Sequence, residues 1–291
     1  MIIGFLGDLH GRVFHALGVV VRWQQESGKQ LDLIVQVGDL GAWPDPARAD
    51  EATKRFAQSD PGEFDFSRLL HLGEAERRAL VALRQRLSTP VLFIAGNHED
   101  EAWLEQLETG HTPPILVDPV GLYQYVPDGT VLDVQACTIG FAGGEDISDE
   151  AYDGLVALGE GLDILVTHDA PRGVSRGWSG DVQGSERLLR LIETMRPRYH
   201  VFGHLHRTIG PVQVANTTCV GLAQLVASVP SNPSQIINPG SLGVLDTVRN
   251  EFHLVQDEWL AEFSRQANIL DLAVGFCPSG RARLAAFLGQ D

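Results

Sequence analysis

Residues 2–11 read Ile-Ile-Gly-Phe-Leu-Gly-Asp-Leu-His-Gly, a short apolar run that ends at glycine and delivers an aspartate and a histidine. A run of about five residues bounded by glycine has the pattern of a buried strand. Residues 13–25 then place Val13, Leu17, Val20 and Val21 at helical spacing. Apolar runs of similar length recur at 33–37, 91–95, 138–142, 164–167 and 199–202. A second amphipathic helix is predicted at 74–87, from Ala79, Leu80, Leu83 and Leu87, and a short acidic one at 100–108. Strand, helix, strand at these lengths predicts α/β layering with partly parallel sheet. Beyond about residue 210, runs at 212–220 and 252–255 alternate with turns and predict antiparallel additions. Residues 281–288 read as a terminal helix.

Five short pieces stand where strands should end. They are Gly7-Asp8-Leu9-His10-Gly11, Gly38-Asp39-Leu40-Gly41, Gly96-Asn97-His98-Glu99, Thr167-His168-Asp169 and Gly203-His204-Leu205-His206. In α/β proteins the crevice beyond the carboxyl ends of the strands is where sites assemble. The donors are carboxylate, amide and imidazole, with no sulfur, which suits first-row divalent ions such as Mn, Fe, Zn, Co or Ni. They exceed what one tetrahedral ion takes, and two ions about 3.5–4 Å apart sharing a carboxylate would use them all. Of the ten histidines, His10, His98, His168, His204 and His206 lie in these pieces. His15, His71, His111, His200 and His253 are scattered and read as surface or packing residues.

Length and composition set the frame. With 291 residues, 44% of them hydrophobic, the chain can build one large domain or two small ones. The expectation is a single domain over 1–291, with an insertion at 42–73 and a C-terminal extension after about 245. The insertion holds Pro44, Pro46 and Pro61 among the aromatics Trp43, Phe56, Phe64 and Phe66. Such a stretch is a lid or a loop, and the aromatics favour packing. Basic residues number 22 and acidic ones 38, a net charge of −16. That balance argues against coating nucleic acid or an anionic membrane through the general field. Lys29 and Lys54 are the only lysines, so the positive charge is nearly all arginine, a skew that serves phosphate contacts or reflects codon usage. Cys137, Cys219 and Cys277 are too far apart for a disulfide framework or a thiolate site. The first residues lack the basic lead of a signal peptide, and no stretch approaches the roughly 20 apolar residues of a spanning helix. A cytoplasmic protein is expected.

In this order, Asp-x-His, Gly-Asp, Gly-Asn-His-Glu, His and Gly-His-x-His resemble the calcineurin-like metallophosphoesterase superfamily. The resemblance extends from residue 1 to about 241, where Asn238-Pro239-Gly240-Ser241 resembles the family's closing turn after a strand. It implies an α/β (α+β) fold, a four-layer αββα sandwich with two central mixed β-sheets and a dinuclear site at the strand ends. It further implies one metal held by Asp8, His10, Asp39 and His206. The second would be held by Asp39, Asn97, His168 and His204, with Asp39 bridging. His98 would face the scissile phosphate without binding metal.

These roles make chemical sense. An anionic phosphoryl group repels an anionic nucleophile, and two cations neutralise that charge and create a bridging hydroxide near neutral pH. The leaving alkoxide needs a proton, which imidazole supplies well. Asp169 and Glu99 are candidates to orient the histidines, or are helix-start carboxylates. Arg12, Arg172 and Arg207 adjoin the motifs and are candidates for gripping phosphate oxygens. The expected activity is hydrolysis of phosphomonoesters or phosphodiesters by the bridging hydroxide, on a small nucleotide or phosphodiester. A nuclease or RNA-processing phosphodiesterase is the alternative, and a non-catalytic metal-binding scaffold the competing class. The stretch 167–173 resembles lariat-debranching enzymes, yet Asp8 stands where those commonly carry cysteine. Residues 7–12 are similar to the phosphoprotein-phosphatase branch, but Glu99-Asp100-Glu101 replaces the arginine motif that follows Gly-Asn-His there.

Overall fold

The computed structural model describes residues 1–177, 179–227 and 236–275. The terminal helix expected at 281–288 and Cys277 lie outside the described residues. Two sheets form the centre. The first has seven strands in the spatial order Glu251–Leu254, Leu242–Asp246, Ile2–Leu6, Leu33–Gln36, Val91–Phe93, Tyr123–Tyr125 and Ile115–Leu116. The four from Ile2–Leu6 to Tyr123–Tyr125 run parallel, and the remaining pairings are antiparallel. The second has six, in the order Ile209–Val214, Thr217–Gly221, Tyr199–Phe202, Ile164–Thr167, Cys137–Ala142 and Val131–Val134. Its four inner strands are parallel and its two edges antiparallel, so both sheets are mixed.

Alternation along the strands builds the layers. Ile3, Phe5, Val35 and Leu92 of the first sheet meet Ile139, Phe141, Val166 and Val201 of the second in one apolar core between the sheets. The side chains one residue out of step, Leu6, Ile34 and Phe93, point outward onto the helices Val13–Ser27 and Glu74–Arg86. On the far side Leu165 and Phe202 pack against Leu155, Leu188 and Ile192 of the helices Asp149–Ala157 and Glu186–Met195. A two-residue period in strands covered on both faces makes the run of residues continuously apolar, as 164–167 and 199–202 are. The result is the four-layer arrangement of helices outside two mixed sheets.

Some expectations needed adjustment. The run 212–220 is not one strand but the arms of a hairpin that turns at Ala215 with φ 50°. The turn at Asn238-Pro239-Gly240-Ser241 leads into the strand Leu242–Asp246 rather than following one. The segment 42–73 is folded as short helical turns, Pro46–Arg48, Glu51–Ala57, Pro61–Phe64 and Asp65–Leu70. Phe66 anchors it, fully buried and edge-on to Trp103. No helix among the described residues is long and apolar enough to cross a membrane.

His200 is a packing residue, fully buried, stacked on Phe202 and bonded through Nε2 to the Thr167 hydroxyl. Burial pushes its pKa down to about 3. The unfolded chain therefore takes up a proton near pH 6.5 that the folded chain refuses, and stability falls as pH drops through that window. Between pH 7 and pH 5 this one residue should remove about 2 kcal/mol. Urea midpoints for the protein and for His200→Gln should diverge by that amount in their pH dependence. Parallel pH profiles would contradict it.

Candidate metal centre

Each donor arrives where a parallel strand ends. Asp8 and His10 follow Ile2–Leu6, Asp39 follows Leu33–Gln36, and Asn97 with His98 follow Val91–Phe93. From the second sheet, His168 follows Ile164–Thr167, and His204 with His206 follow Tyr199–Phe202. The two sheets thus converge their carboxyl ends on one crevice.

The local backbone is strained to achieve this. His10, Asp39, His204 and His206 have φ of 42°, 56°, 63° and 54°. Left-handed backbone costs a non-glycine residue about 1–3 kcal/mol and persists only where surroundings over-determine it. Here the loops are stitched together: the Leu9 and His10 amides both donate to the Asp39 carbonyl, at 2.8 and 2.9 Å. The His98 amide donates to Asp39 Oδ1 at 2.8 Å, and the His204 amide to both Asp8 oxygens at 3.1 Å. Glycine makes room for two of these approaches. A Cβ on Gly96 would lie 2.2 Å from Asp39 Oδ1, and one on Gly203 would lie 2.2 Å from Asp8 Oδ1.

Two donor groups result. Asp8, His10, Asp39 and His206 bring one ligand atom each to within 4.8 Å of one another. His206 Nε2 lies 3.1 Å from Asp8 Oδ2, and His10 Nε2 lies 3.0 Å from His206 Nε2 and 3.7 Å from Asp39 Oδ2. On the other side His168 Nε2 is 3.4 Å from Asp39 Oδ1, and Asn97 Oδ1 is 3.0 Å from His168 Nε2 and 3.1 Å from His204 Nδ1. Asp39 therefore sends one oxygen to each group. Imidazole nitrogens and carboxylates crowded this closely form a donor set that a divalent cation of borderline hardness fits.

The electrostatics follow from burial and proximity. Burial alone would raise Asp39, but His168 and His10 hold its carboxyl well below the usual carboxylate range. Burial opposes charge on His168, yet Asp39 and then Asp8 carry it up to about 10. At His10 burial prevails over Asp39 and Asp8 and pushes the ring down to about 4. Neither carboxylate considered as a histidine orienter does that work. Glu99 is buried and accepts the Leu40 and Ala42 amides at 2.7 and 2.5 Å, bracing the Asp39 loop. Burial and the nearby Asp39 charge push Glu99 up to about 8. Asp169 accepts the amide of its own neighbour Ala170. The His168 ring is fixed instead by Nδ1 donating to the Val37 carbonyl at 3.0 Å.

His98 is not among the four residues of the first group, although its ring centroid lies 5.1 Å from that of His10. Its Nδ1 lies 2.7 Å from Asp50 Oδ2. Asp50 also caps the helix Glu51–Ala57, accepting the Thr53 amide at 2.8 Å and hydroxyl at 2.9 Å. Sequence reading missed this partner; Asp-Glu before a helical stretch signals a cap and nothing about His98. The arginines are placed differently from one another. Arg12 is buried and paired with Asp60. Arg172 faces Glu186 at 3.4 Å, half exposed. Arg207 donates to the Ser175 hydroxyl, the Arg176 carbonyl and the Gln183 amide oxygen.

Residues 1–208 match the family described as calcineurin-like phosphoesterase. Among curated relatives, a UPF0046 protein of Caenorhabditis elegans is 34% identical over 68 residues, 23% of each chain. Metallophosphoesterase domain-containing protein 1 of Homo sapiens is 37% identical over 94 residues, 31% of this chain and 27% of the relative. The match thus spans about a quarter of the length of these relatives. A solved crystal structure aligns over 88% of this chain and 98% of its own, with a TM-score of 0.50 at 15% identity, a likeness of fold alone. With the strand-end donors in place and the family matched over 1–208, the chain belongs to the calcineurin-like phosphoesterase family.

Proposed function

We propose that the chain hydrolyses phosphate esters of small molecules, nucleotides or small phosphodiesters, at a centre of two divalent ions. One ion would be held by Asp8, His10, Asp39 and His206, the other by Asp39, Asn97, His168 and His204. The observation that carries this is Asp39, whose two oxygens divide between the two donor groups at 3.7 and 3.4 Å. Two bound cations would neutralise the phosphoryl charge and lower the pKa of a water between them. Mn is the ion of choice for reconstitution, with Fe, Zn, Co and Ni equally compatible with the donors.

His98 is free of both donor groups and serves as general acid, its Nε2 proton going to the leaving oxygen. Asp50 fixes the ring by accepting from Nδ1, which keeps the donating nitrogen toward the centre. Its carboxyl is held below the usual range by the His98 and Thr53 hydrogen bonds, against the effect of burial, so it is an anionic acceptor at neutral pH. Arg172 and Arg207 are proposed contacts for phosphate oxygens, whereas Arg12 acts through Asp60 on the 42–73 segment. We place the protein in a reducing compartment, the cytoplasm, with Cys137 and Cys219 as buried free thiols.

The net charge of −16 disfavours long polyanions. With Mn supplied, nucleoside monophosphates and cyclic dinucleotides should therefore be turned over with higher kcat/KM than single-stranded oligonucleotides. Tight, salt-insensitive cleavage of oligonucleotides would move the reading to a nuclease.

A further inference from the structure

A recess of about 560 Å³ opens beside the metal centre, with His10 on its floor. Its walls come from the two stretches outside the strand-end motifs. The 42–73 segment contributes Phe56 and Asp60, and the C-terminal stretch contributes Phe263 and Arg265. Arg265 locks the walls together, pairing with Asp60 and donating to the Ala227 carbonyl. Arg12 pairs with the same carboxylate from the floor.

Two features of this recess are unlike the rest of the molecule. The first is charge. Two guanidiniums face Asp60 and Glu63, and burial pushes Glu63 up to about 7. Two guanidiniums balance two carboxylates, so the recess carries no net formal charge in a chain of net charge −16. Arg265 keeps 30% of its side chain exposed there while its Asp60 partner is nearly covered. The second is Phe56, the one aromatic among the exposed large apolar side chains of the described residues, 41% exposed at the recess. The Arg55 guanidinium stands 5.1 Å from its ring centroid, a cation–π arrangement that leaves the ring at the surface. An exposed aromatic ring beside a charge-balanced, hydrogen-bonding cavity is the chemistry that recognises a flat heteroaromatic group.

We propose that the recess is the specificity pocket for the organic group of the substrate, that this group carries a heteroaromatic ring as a nucleoside does, and that Phe56 is the surface on which it stacks. This rests on the phosphoesterase reading above, since the recess gains meaning from the reacting phosphate at His10. Simple alkyl phosphates would reach the metal centre but leave Phe56 unused. A volume near 560 Å³ accommodates one nucleoside.

The test uses the full chain loaded with Mn and whichever aryl ester it turns over, p-nitrophenyl phosphate or bis(p-nitrophenyl) phosphate. Adenosine 5′-monophosphate and methyl phosphate are compared as competitive inhibitors, because they share the phosphate and differ in the organic group. The nucleotide should inhibit at least about 10-fold more tightly, and Phe56→Ala should cut that ratio by about 10-fold. Phe56→Trp should keep it, and an unchanged thermal midpoint shows that the exposed position was replaced without unfolding. A ratio near 1 in the unaltered protein, or one that Phe56→Ala leaves unmoved, overturns the proposal while the phosphoesterase reading stands. Failure to turn over either aryl ester overturns that reading and this proposal with it.

Discussion

Asp39→Ala should abolish turnover of every phosphate ester the protein cleaves. The carboxylate is buried, it contributes an oxygen to each donor group, and its Oδ1 also accepts the His98 amide. Removing it deprives both proposed ions of their shared ligand and releases the loop that carries His98. The core packing between the sheets does not involve Asp39, so the circular dichroism of the variant should match that of the unaltered chain. Turnover comparable to the parent, with metal content also unchanged, would remove the role assigned to Asp39.

His98→Ala should behave differently, and the contrast is the informative part. A positioned general acid contributes about 10²–10⁴-fold. The variant should lose that much in kcat while both ions stay bound, because His98 lies outside both donor groups. The loss should shrink for esters with good leaving groups, such as p-nitrophenol, which depart without a proton. Asp50→Asn is a subtler probe of the same step. It keeps the helix cap but replaces the anionic acceptor at His98 Nδ1, so it should lower kcat less than His98→Ala does, with both ions still bound. Loss of a metal ion from His98→Ala, measured by elemental analysis, would make His98 a ligand and reverse the assignment.

The strand-end donors were legible because the whole signal is local. An apolar run, a glycine and a polar donor sit within a few residues, and the fold needs only to bring five such ends together. The layered architecture followed from the same runs. What could not be read is long-range or too short. Asp50 reaches His98 across 48 positions, and Arg265 reaches Asp60 across 205; nothing in the local sequence marks either pair. Ile115–Leu116 and Tyr123–Tyr125 are too brief to display a period. The hairpin after residue 209 turns at Ala215 and Asn216, without the glycine or proline that punctuates most turns. Other misses had a signal available. Glu186–Met195 begins at a Ser185 cap and places Leu188, Leu191, Ile192 and Met195 on one buried face, a pattern that predicts a helix.

Two ions sharing Asp39 are proposed to make one catalytic centre. The most direct measurement is turnover of an aryl phosphate ester against bound Mn per chain, titrated into chelated protein. A shared Asp39 predicts no turnover without metal, two equivalents at saturation, and activity that rises as the second is bound. It predicts fewer than two for Asp39→Ala under the same conditions. Full activity in the chelated protein, saturation of activity at one equivalent, or two bound equivalents with no ester cleaved would contradict it.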